Sequence, residues 1–264
     1  MKVHIKMIYK GVDFVTWELL EGDCLELMKD IPDNSIDLIL CDPPYGVVKQ
    51  EWDKKIDLTL LWEQYKRIRK SYSAVLLFGM EPFSTEVRMS NLKEYKYDWI
   101  WVKNNAMNFL QAANMPLRYH ELISVFSDGV INHAKRSPTR MTYNPQTTKI
   151  DNPQTVLRRP FKQGERGFNG GRGGKKVVDK KDFPRMILDN FPAQQKRFNM
   201  TQKPVELYEY FIKTYSSEGD TILDNCAGSG TLGIACLNTN RNAIMIEADE
   251  KSCEYIKERM ELKK

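Results

Sequence analysis

The chain has 264 residues, a formal net charge of +5, 41% hydrophobic and 28% charged residues, the profile of a globular protein of one large domain or two small ones. At this length a fold buries roughly 70–75% of its extended surface, so no staple is needed. Five cysteines without a CxxC pair argue against a disulfide framework and a zinc site. The near-apolar run Ala74–Met80 is far short of a roughly 20-residue membrane span, and MKVHIKMIYK has no signal-peptide core. A reduced, cytoplasmic protein with no membrane contact and no metal is the expectation.

In chain order, Ile36–Cys41 reads as a buried parallel strand, short and apolar, and the turn Asp42-Pro43-Pro44-Tyr45 follows it directly. Ligands of open α/β sheets sit at the carboxyl ends of strands, so this turn is placed where a site belongs. Two prolines fix φ and leave carbonyls free as acceptors. A carboxylate, a fixed carbonyl and an aromatic ring together suit a planar group that carries an amine. Asp42 and the Pro43 carbonyl can each accept from one N–H, and Tyr45 can stack on the ring. The bland alternative is a strand exit with a capping Asp and a core Tyr.

A helix is predicted over Ile56–Lys70, with Leu60, Leu61, Tyr65 and Ile68 on one face. Strands are then predicted at Ala74–Phe78, Asp98–Val102 and Glu121–Phe126. Lys103 and Asn104 follow the second of these, at a place suited to a target strand or to solvent. His120 beside Glu121 reads as a structural pair, and with His4 and His133 it is too scattered for a metal site.

The rhythm breaks between about Ser127 and Met200. From Lys135 to Arg197 there are 16 Lys/Arg against 5 Asp/Glu, which leaves the rest of the chain with 24 basic and 30 acidic residues. The stretch RRPFKQGERGFNGGRGGKK cannot build a core and is expected to stay mobile without a partner. One basic segment in a slightly acidic body suggests binding to a polyanion. Arg158, Arg159, Arg166, Arg172, Lys175 and Lys176 are the candidate phosphate contacts.

Beyond it, Pro204 suits a first helical position, and Val205, Tyr208, Phe211, Ile212 and Tyr215 recur at helical spacing. Thr221–Leu223 and Ala243–Ile246 are further strands, and Cys253, Ile256 and Met260 mark a final helix. Strands alternating with helices mean an α/β sheet covered on both faces. After Thr221–Leu223 comes Asp224-Asn225-Cys226-Ala227-Gly228-Ser229-Gly230-Thr231. Gly228, Gly230 and Gly233 formally satisfy G-x-G-x-x-G, and Glu247 stands where a ribose-binding acid belongs. A nicotinamide enzyme opens with this unit, whereas here it comes last. Gly230-Thr231 lacks the lysine of a phosphate loop. An adenosine cofactor fits the pair better than a pyrophosphate does.

Together these residues resemble the S-adenosylmethionine-dependent amino-methyltransferases of DNA. The order of DPPY, basic segment and glycine motif is similar to the β-class arrangement. The resemblance runs through Gly22-Asp23-Cys24-Leu25, Trp52-Asp53, Phe78-Gly79, Pro82-Phe83, Trp99-Ile100-Trp101, Arg118-Tyr119-His120-Glu121, Tyr143-Asn144-Pro145-Gln146, Phe183-Pro184-Arg185 and Thr201-Gln202-Lys203-Pro204. Asn199 and Met200 replace the family's usual His-Pro, and Ser252 stands where an aromatic is frequent.

The resemblance implies a Rossmann-like, mixed but mainly parallel sheet in circularly permuted motif order. It divides the chain into a catalytic half over 1–126, a target-recognition region over 127–200 and a cofactor-binding half over 201–264. It implies S-adenosylmethionine held by Asp23, Cys24, Asp42, Lys203, Pro204, Asp224, Ala227, Gly228, Ser229, Gly230, Thr231 and Glu247, with Asp42, Pro43, Pro44 and Tyr45 catalytic. The implied reaction is site-specific N6-adenine methylation of a flipped base in double-stranded DNA. A homodimer and a separate cognate restriction nuclease are implied partners. N4-cytosine methylation, action on RNA, and a DNA-binding protein with a vestigial methyltransferase fold are the alternatives. Cytosine C5 chemistry needs a thiol after a proline, and none of Cys24, Cys41, Cys226, Cys236 and Cys253 follows one; all five read as packing residues. Protein-glutamine methylation goes with a leading Asn in the turn and an upstream glycine motif, and this chain has neither.

Overall fold

The computed structural model describes residues 2–10, 13–47, 53–131, 137–158, 174–193 and 202–262. The elements are β1 (Lys2–Lys10), β2 (Asp13–Glu21), α1 (Cys24–Leu27), β3 (Ile36–Cys41), α2 (Leu58–Ile68), β4 (Arg69–Gly79), α3 (Phe83–Ser90), β5 (Tyr95–Met107) and β6 (Arg118–Phe126). They continue with β7 (Thr148–Arg158), β8 (Gly174–Lys181), β9 (Ile187–Leu188), α4 (Val205–Tyr215), β10 (Thr221–Asp224), α5 (Thr231–Thr239), β11 (Asn242–Glu247) and α6 (Glu250–Glu261).

Nine strands form one sheet in the order β1-β2-β11-β10-β3-β4-β6-β5-β9. The run from β2 through β11, β10 and β3 to β4 is parallel. Central strands of this kind are apolar on both sides because successive side chains point to opposite faces. Leu38 and Leu40 of β3 join one buried cluster with α4 to α6, including Phe211, Leu232 and Ile256. Ile39 and Cys41 join the other with α2 and α3, including Leu61, Tyr65, Phe83 and Val87. Helices therefore cover both faces, as the alternation predicts.

Two expectations are corrected. Asp98–Val102 and Glu121–Phe126 do not simply extend the parallel set. β6 runs antiparallel to both β4 and β5 and lies between them. The connection over residues 108–117 is too short for a parallel crossover, which takes a dozen or more residues, so the chain turns back. Pro204 is the N-cap of α4 in an extended conformation (φ −61, ψ 139), and the helix begins at Val205.

The chain divides into two compact units, residues 1–144 with 186–264 and residues 145–185. The separate unit is narrower than the 127–200 region expected from composition. Met141 is buried in the main core, the Asn144 N–H donates to the Thr214 carbonyl at 2.6 Å, and β9 pairs with β5. In the smaller unit β7 and β8 form an antiparallel hairpin with Leu157 opposite Lys175. No helix among the described residues is long and apolar enough to cross a membrane.

Candidate active site

Parallel pairing of β3 with β10, Leu38 against Ile222 and Ile39 against Leu223, sets the turns after these strands side by side at the carboxyl edge. Asp42 leaves β3 half-buried, and the Tyr45 hydroxyl donates to its Oδ1 at 2.5 Å. The Tyr45 ring stacks on Phe83 with centroids 5.2 Å apart. Pro43 is buried and Pro44 half-buried between them. The Gly46 N–H donates to the buried Asp53 at 2.9 Å and closes the segment.

Lys203 donates its ammonium to Asp42 Oδ2. Its Nζ also lies 3.3 Å from Glu121 Oε2 and 5.2 Å above the Phe78 ring. Lys103 in turn donates to Glu121 Oε1. Lys203 is 5% and Glu121 4% exposed, so two ammonium groups and two carboxylates balance within a nearly dry space. Burial raises the Asp42 carboxyl above its ordinary value; the Lys203 ammonium pulls it back and the Glu121 charge adds to the rise. Burial would likewise raise Glu121, but Lys203 and Lys103 outweigh it and hold that carboxyl low. Burial would lower Lys203, and its two carboxylate partners outweigh that and keep it charged.

The glycine turn is fixed from outside and from within. Asp224 Oδ1 accepts from the Cys226 N–H at 3.1 Å, and the Tyr65 hydroxyl donates to Asn225 Oδ1 at 2.5 Å. The Ala227 N–H reaches the Ile246 carbonyl and the Gly230 N–H the Ala227 carbonyl. The Gly228 N–H donates to Glu247 Oε2 at 2.7 Å. Gly228 and Gly230 have φ of 53° and 70°, which L side chains resist. With these amides engaged by the protein, the turn does not offer the row of free N–H groups that a pyrophosphate takes at a helix start. Its charge is instead carboxylate. Burial pushes Asp224 up to about 7, and burial also raises Glu247. Such a donor set suits a ligand with a cationic group and hydroxyls, and it fits a sulfonium nucleoside.

Asp23 caps α1, accepting from Leu25 N–H at 2.8 Å and Glu26 N–H at 3.2 Å. Cys24 heads that helix, and a hydrogen bond with Cys226 lowers its thiol pKa. Buried Ser229 and Thr231 turn toward the protein: Arg259 donates to the Ser229 carbonyl at 2.7 Å, and Thr231 Oγ1 donates to the Lys203 carbonyl at 3.4 Å. Gly233 of the G-x-G-x-x-G pattern is a packing position, where a Cβ would meet Met260 and Met245 sulfurs at 2.7 and 2.9 Å. His120 is exposed and Glu121 buried; the pair expected from their adjacency is corrected, because strand neighbours face opposite ways. Lys103 pairs with Glu121 rather than reaching solvent, and Asn104 Oδ1 accepts from Ala193 N–H at 3.1 Å. Lys175 is exposed on β8. Only the backbone of Arg158 and Lys176 is described, and Arg159, Arg166, Arg172, Asn199, Met200 and Trp52 lie outside the described residues. No group of three or more potential metal ligands occurs among the described residues.

The family model of DNA methylases for N6 and N4 positions matches residues 36–258, a span that holds both turns, Glu121, Lys203 and Glu247. The chain belongs to this family. It is similar to the type II methyltransferase M.HpaI of Haemophilus parainfluenzae, 27% identical over 256 residues, which cover 92% of this chain and 74% of that one. It is also 27% identical over 265 residues to the DNA adenine methyltransferase YhdJ of Escherichia coli (strain K12), covering 90% of this chain and 80% of that protein. The structure of an M1.HpyAVI–SAM complex shares the fold, with a TM-score of 0.61 at 20% identity over 92% of this chain and 98% of that one. The chain is thus a DNA amino-methyltransferase of the adenine-N6/cytosine-N4 class, on a mixed, mainly parallel α/β fold.

Nothing local in the Arg118-Tyr119-His120-Glu121 series marks the role of Glu121. Its partners are distant in the chain and meet it only once β6 has turned back. Tyr65 and Arg259, which hold the glycine turn, carry no signal beyond helical spacing.

Proposed function

We propose that this DNA methyltransferase transfers the methyl group of S-adenosylmethionine to the exocyclic N6 of an adenine flipped out of double-stranded DNA. The observation that carries this reading is the Asp42–Tyr45 turn, held at the sheet edge by Lys203 and adjoining a carboxylate-rich glycine turn. The adenine methyltransferase named among its relatives and the S-adenosylmethionine complex among its structural neighbours support it.

S-adenosylmethionine supplies a sulfonium-bound methyl group already activated toward attack by nitrogen. Asp224, Ala227 and Gly228 are assigned to its methionine part, Glu247 to its ribose, and Asp23 to its adenine edge. Cys24, Pro204, Ser229, Gly230 and Thr231 shape the same pocket. Asp42 accepts one amine N–H of the target base and the Pro43 carbonyl the other. Together they fix the lone pair in line and draw it out of ring conjugation, so alignment supplies most of the rate. Tyr45 stacks on the base through the ring face turned away from Phe83, returning roughly 1–3 kcal/mol. That offsets much of the few kcal/mol of unstacking and unpairing. Lys203 and Glu121 act through Asp42 as positioning residues. The basic residues from Arg158 to Lys176 hold phosphates without reading bases.

Incubating the purified chain with methyl-labelled S-adenosylmethionine and duplex DNA, then digesting to nucleosides, tests the assignment. Labelled N6-methyl-2′-deoxyadenosine is expected. Labelled N4-methyl-2′-deoxycytidine would overturn the base assignment while keeping the chemistry. Cofactor binding without transfer to DNA or RNA would favour the vestigial DNA-binding reading.

A further inference from the structure

The connection between β5 and β6 lies outside the machinery described so far. From Asn104 to Leu117 the chain reads NNAMNFLQAANMPL, with no Asp, Glu, Lys or Arg, in a protein that is 28% charged. Surfaces are ordinarily kept soluble by interspersed charge. Here Phe109 is 65% exposed and Leu110 fully so, and Met115 of the same loop is 41% exposed. An uncharged loop that exposes large apolar side chains is a candidate interaction surface.

The tip is nonetheless built. Asn108 takes a left-handed conformation (φ 60°). Its side chain bridges the neck of the loop, accepting from the Arg118 N–H at 2.8 Å and donating to the Pro116 carbonyl at 3.4 Å. Successive turns follow, with the Gln111 N–H on the Asn108 carbonyl, Ala112 on Phe109 and Asn114 on Gln111, at 2.8–3.1 Å. The apolar side chains are presented on a preformed support.

Its place matters as much as its composition. Trp101 lies opposite Glu121, and Met107 opposite Arg118, so the loop rises from the same edge that carries Asp42. The step from Glu121 to Arg118 covers roughly 10 Å at the strand rise.

We propose that Phe109 and Leu110 form a wedge that enters the base stack and fills the space vacated by the target nucleotide. This inference rests on the DNA-methylation reading above. The vacated space is walled by base faces, which suit apolar side chains and exclude a bare charge. Exposed Asn105, Gln111 and Asn114 flank the wedge with amides able to bond the edge of the orphaned partner base.

The test compares wild type with the F109A/L110A double variant on duplexes carrying the motif that the wild type methylates. One duplex is fully paired and the other has a mismatch opposite the target, which lowers the work of extrusion. The variant is expected to lose roughly 10- to 100-fold in methylation rate on the paired duplex and to recover to within about 3-fold on the mismatched one. An equal loss on both duplexes, or no loss on either, overturns the wedge. A fall in molecular mass of the variant in solution would assign the tip to a second copy of the chain and also overturn it. A wild type that methylates no DNA, and so yields no motif to place in the duplexes, fails at the earlier reading, and that outcome is separately visible.

Discussion

At the sheet edge Lys203 and Glu121 are each about 5% or less exposed and form a cluster of four charged groups with Asp42 and Lys103. In the β7–β8 hairpin every side chain from Asp151 to Leu157 is exposed, and residues 145–185 carry 11 Lys/Arg against 4 Asp/Glu. The same residue types behave differently in these two settings. In the dry cluster each charge is fixed by a named partner, so removing one leaves another uncompensated, at about 3–5 kcal/mol. On the open hairpin a charge is screened by water and salt, its contribution is small, and only the sum over many contacts matters. Chemistry that needs an amine held at one angle belongs in the first setting. Attraction to a polyanion whose sequence is not being read belongs in the second.

The sharpest break in this comparison is Asp42→Ala. Turnover should fall by at least about 10²–10³-fold, while S-adenosylmethionine binding remains measurable by calorimetry. Methylation at the wild-type rate would remove Asp42 from the mechanism. Next come the two positioning residues, whose effects on the pH profile have opposite signs. Lys203→Met takes away the ammonium that pulls Asp42 down, so the acid limb of the rate profile moves to higher pH. Glu121→Gln takes away a charge that raises Asp42, so that limb moves to lower pH. Lys203→Met should also cost about 3–5 kcal/mol of stability, read by denaturant unfolding. Shifts in one common direction would contradict the cluster as described.

A smaller effect concerns Asp224, whose carboxyl burial holds at about 7. Between about pH 4 and pH 7 the folded protein keeps this proton while the unfolded chain has released it. The stability contributed here therefore falls as pH rises through that window and is level above it. A cationic ligand seated against Asp224 needs the ionised form, so cofactor affinity should rise from pH 6 to pH 7.5 and then flatten. Asp224→Asn should remove both trends, the first in unfolding titrations and the second in calorimetry. Affinity that is independent of pH in the wild type would separate Asp224 from the ligand.

The mildest test falls on the hairpin. With six phosphate contacts, log affinity for duplex DNA should fall against log salt with a slope near −5. Replacing Lys175 and Lys176 with Ala should reduce that slope by about 2, with kcat at saturating DNA unchanged. A wild-type slope near zero would free the basic segment of its assignment. Asp42→Ala, by contrast, should leave the slope as it is.

Much of the sheet was legible because its central strands are short apolar runs that end at turn residues. Ile36–Cys41 is observed with the very limits its composition suggests, and α2, α4 and α6 carry clear apolar faces, although Leu60, expected on the α2 face, is exposed and Trp62 is buried there instead. The β1–β2 ribbon was missed because charged and polar residues interrupt the apolar ones in KVHIKMIYK and DFVTWELLE, a weak pattern next to a continuous run. The four-residue α1 is too short to show a period. The reversal of β6 is a matter of connection length and sheet order, neither of which local composition states. The site divides in the same way. The DPPY and glycine turns announce themselves through prolines and glycines, whose backbone constraints are local. Glu121, Lys103 and Tyr65 acquire their roles only from contacts across the fold.

In the proposed reaction Asp42, held by Lys203 at the sheet edge, directs methyl transfer to the amino group of adenine in DNA. The most direct measurement is modified-base sequencing of DNA from a methylation-free bacterial host expressing either the wild-type chain or Asp42→Ala. N6-methyladenine at one recurrent short motif with the wild type, and none with the variant, is the predicted result. N4-methylcytosine in its place, or unmodified DNA from cells that hold folded, cofactor-binding wild-type protein, would contradict it.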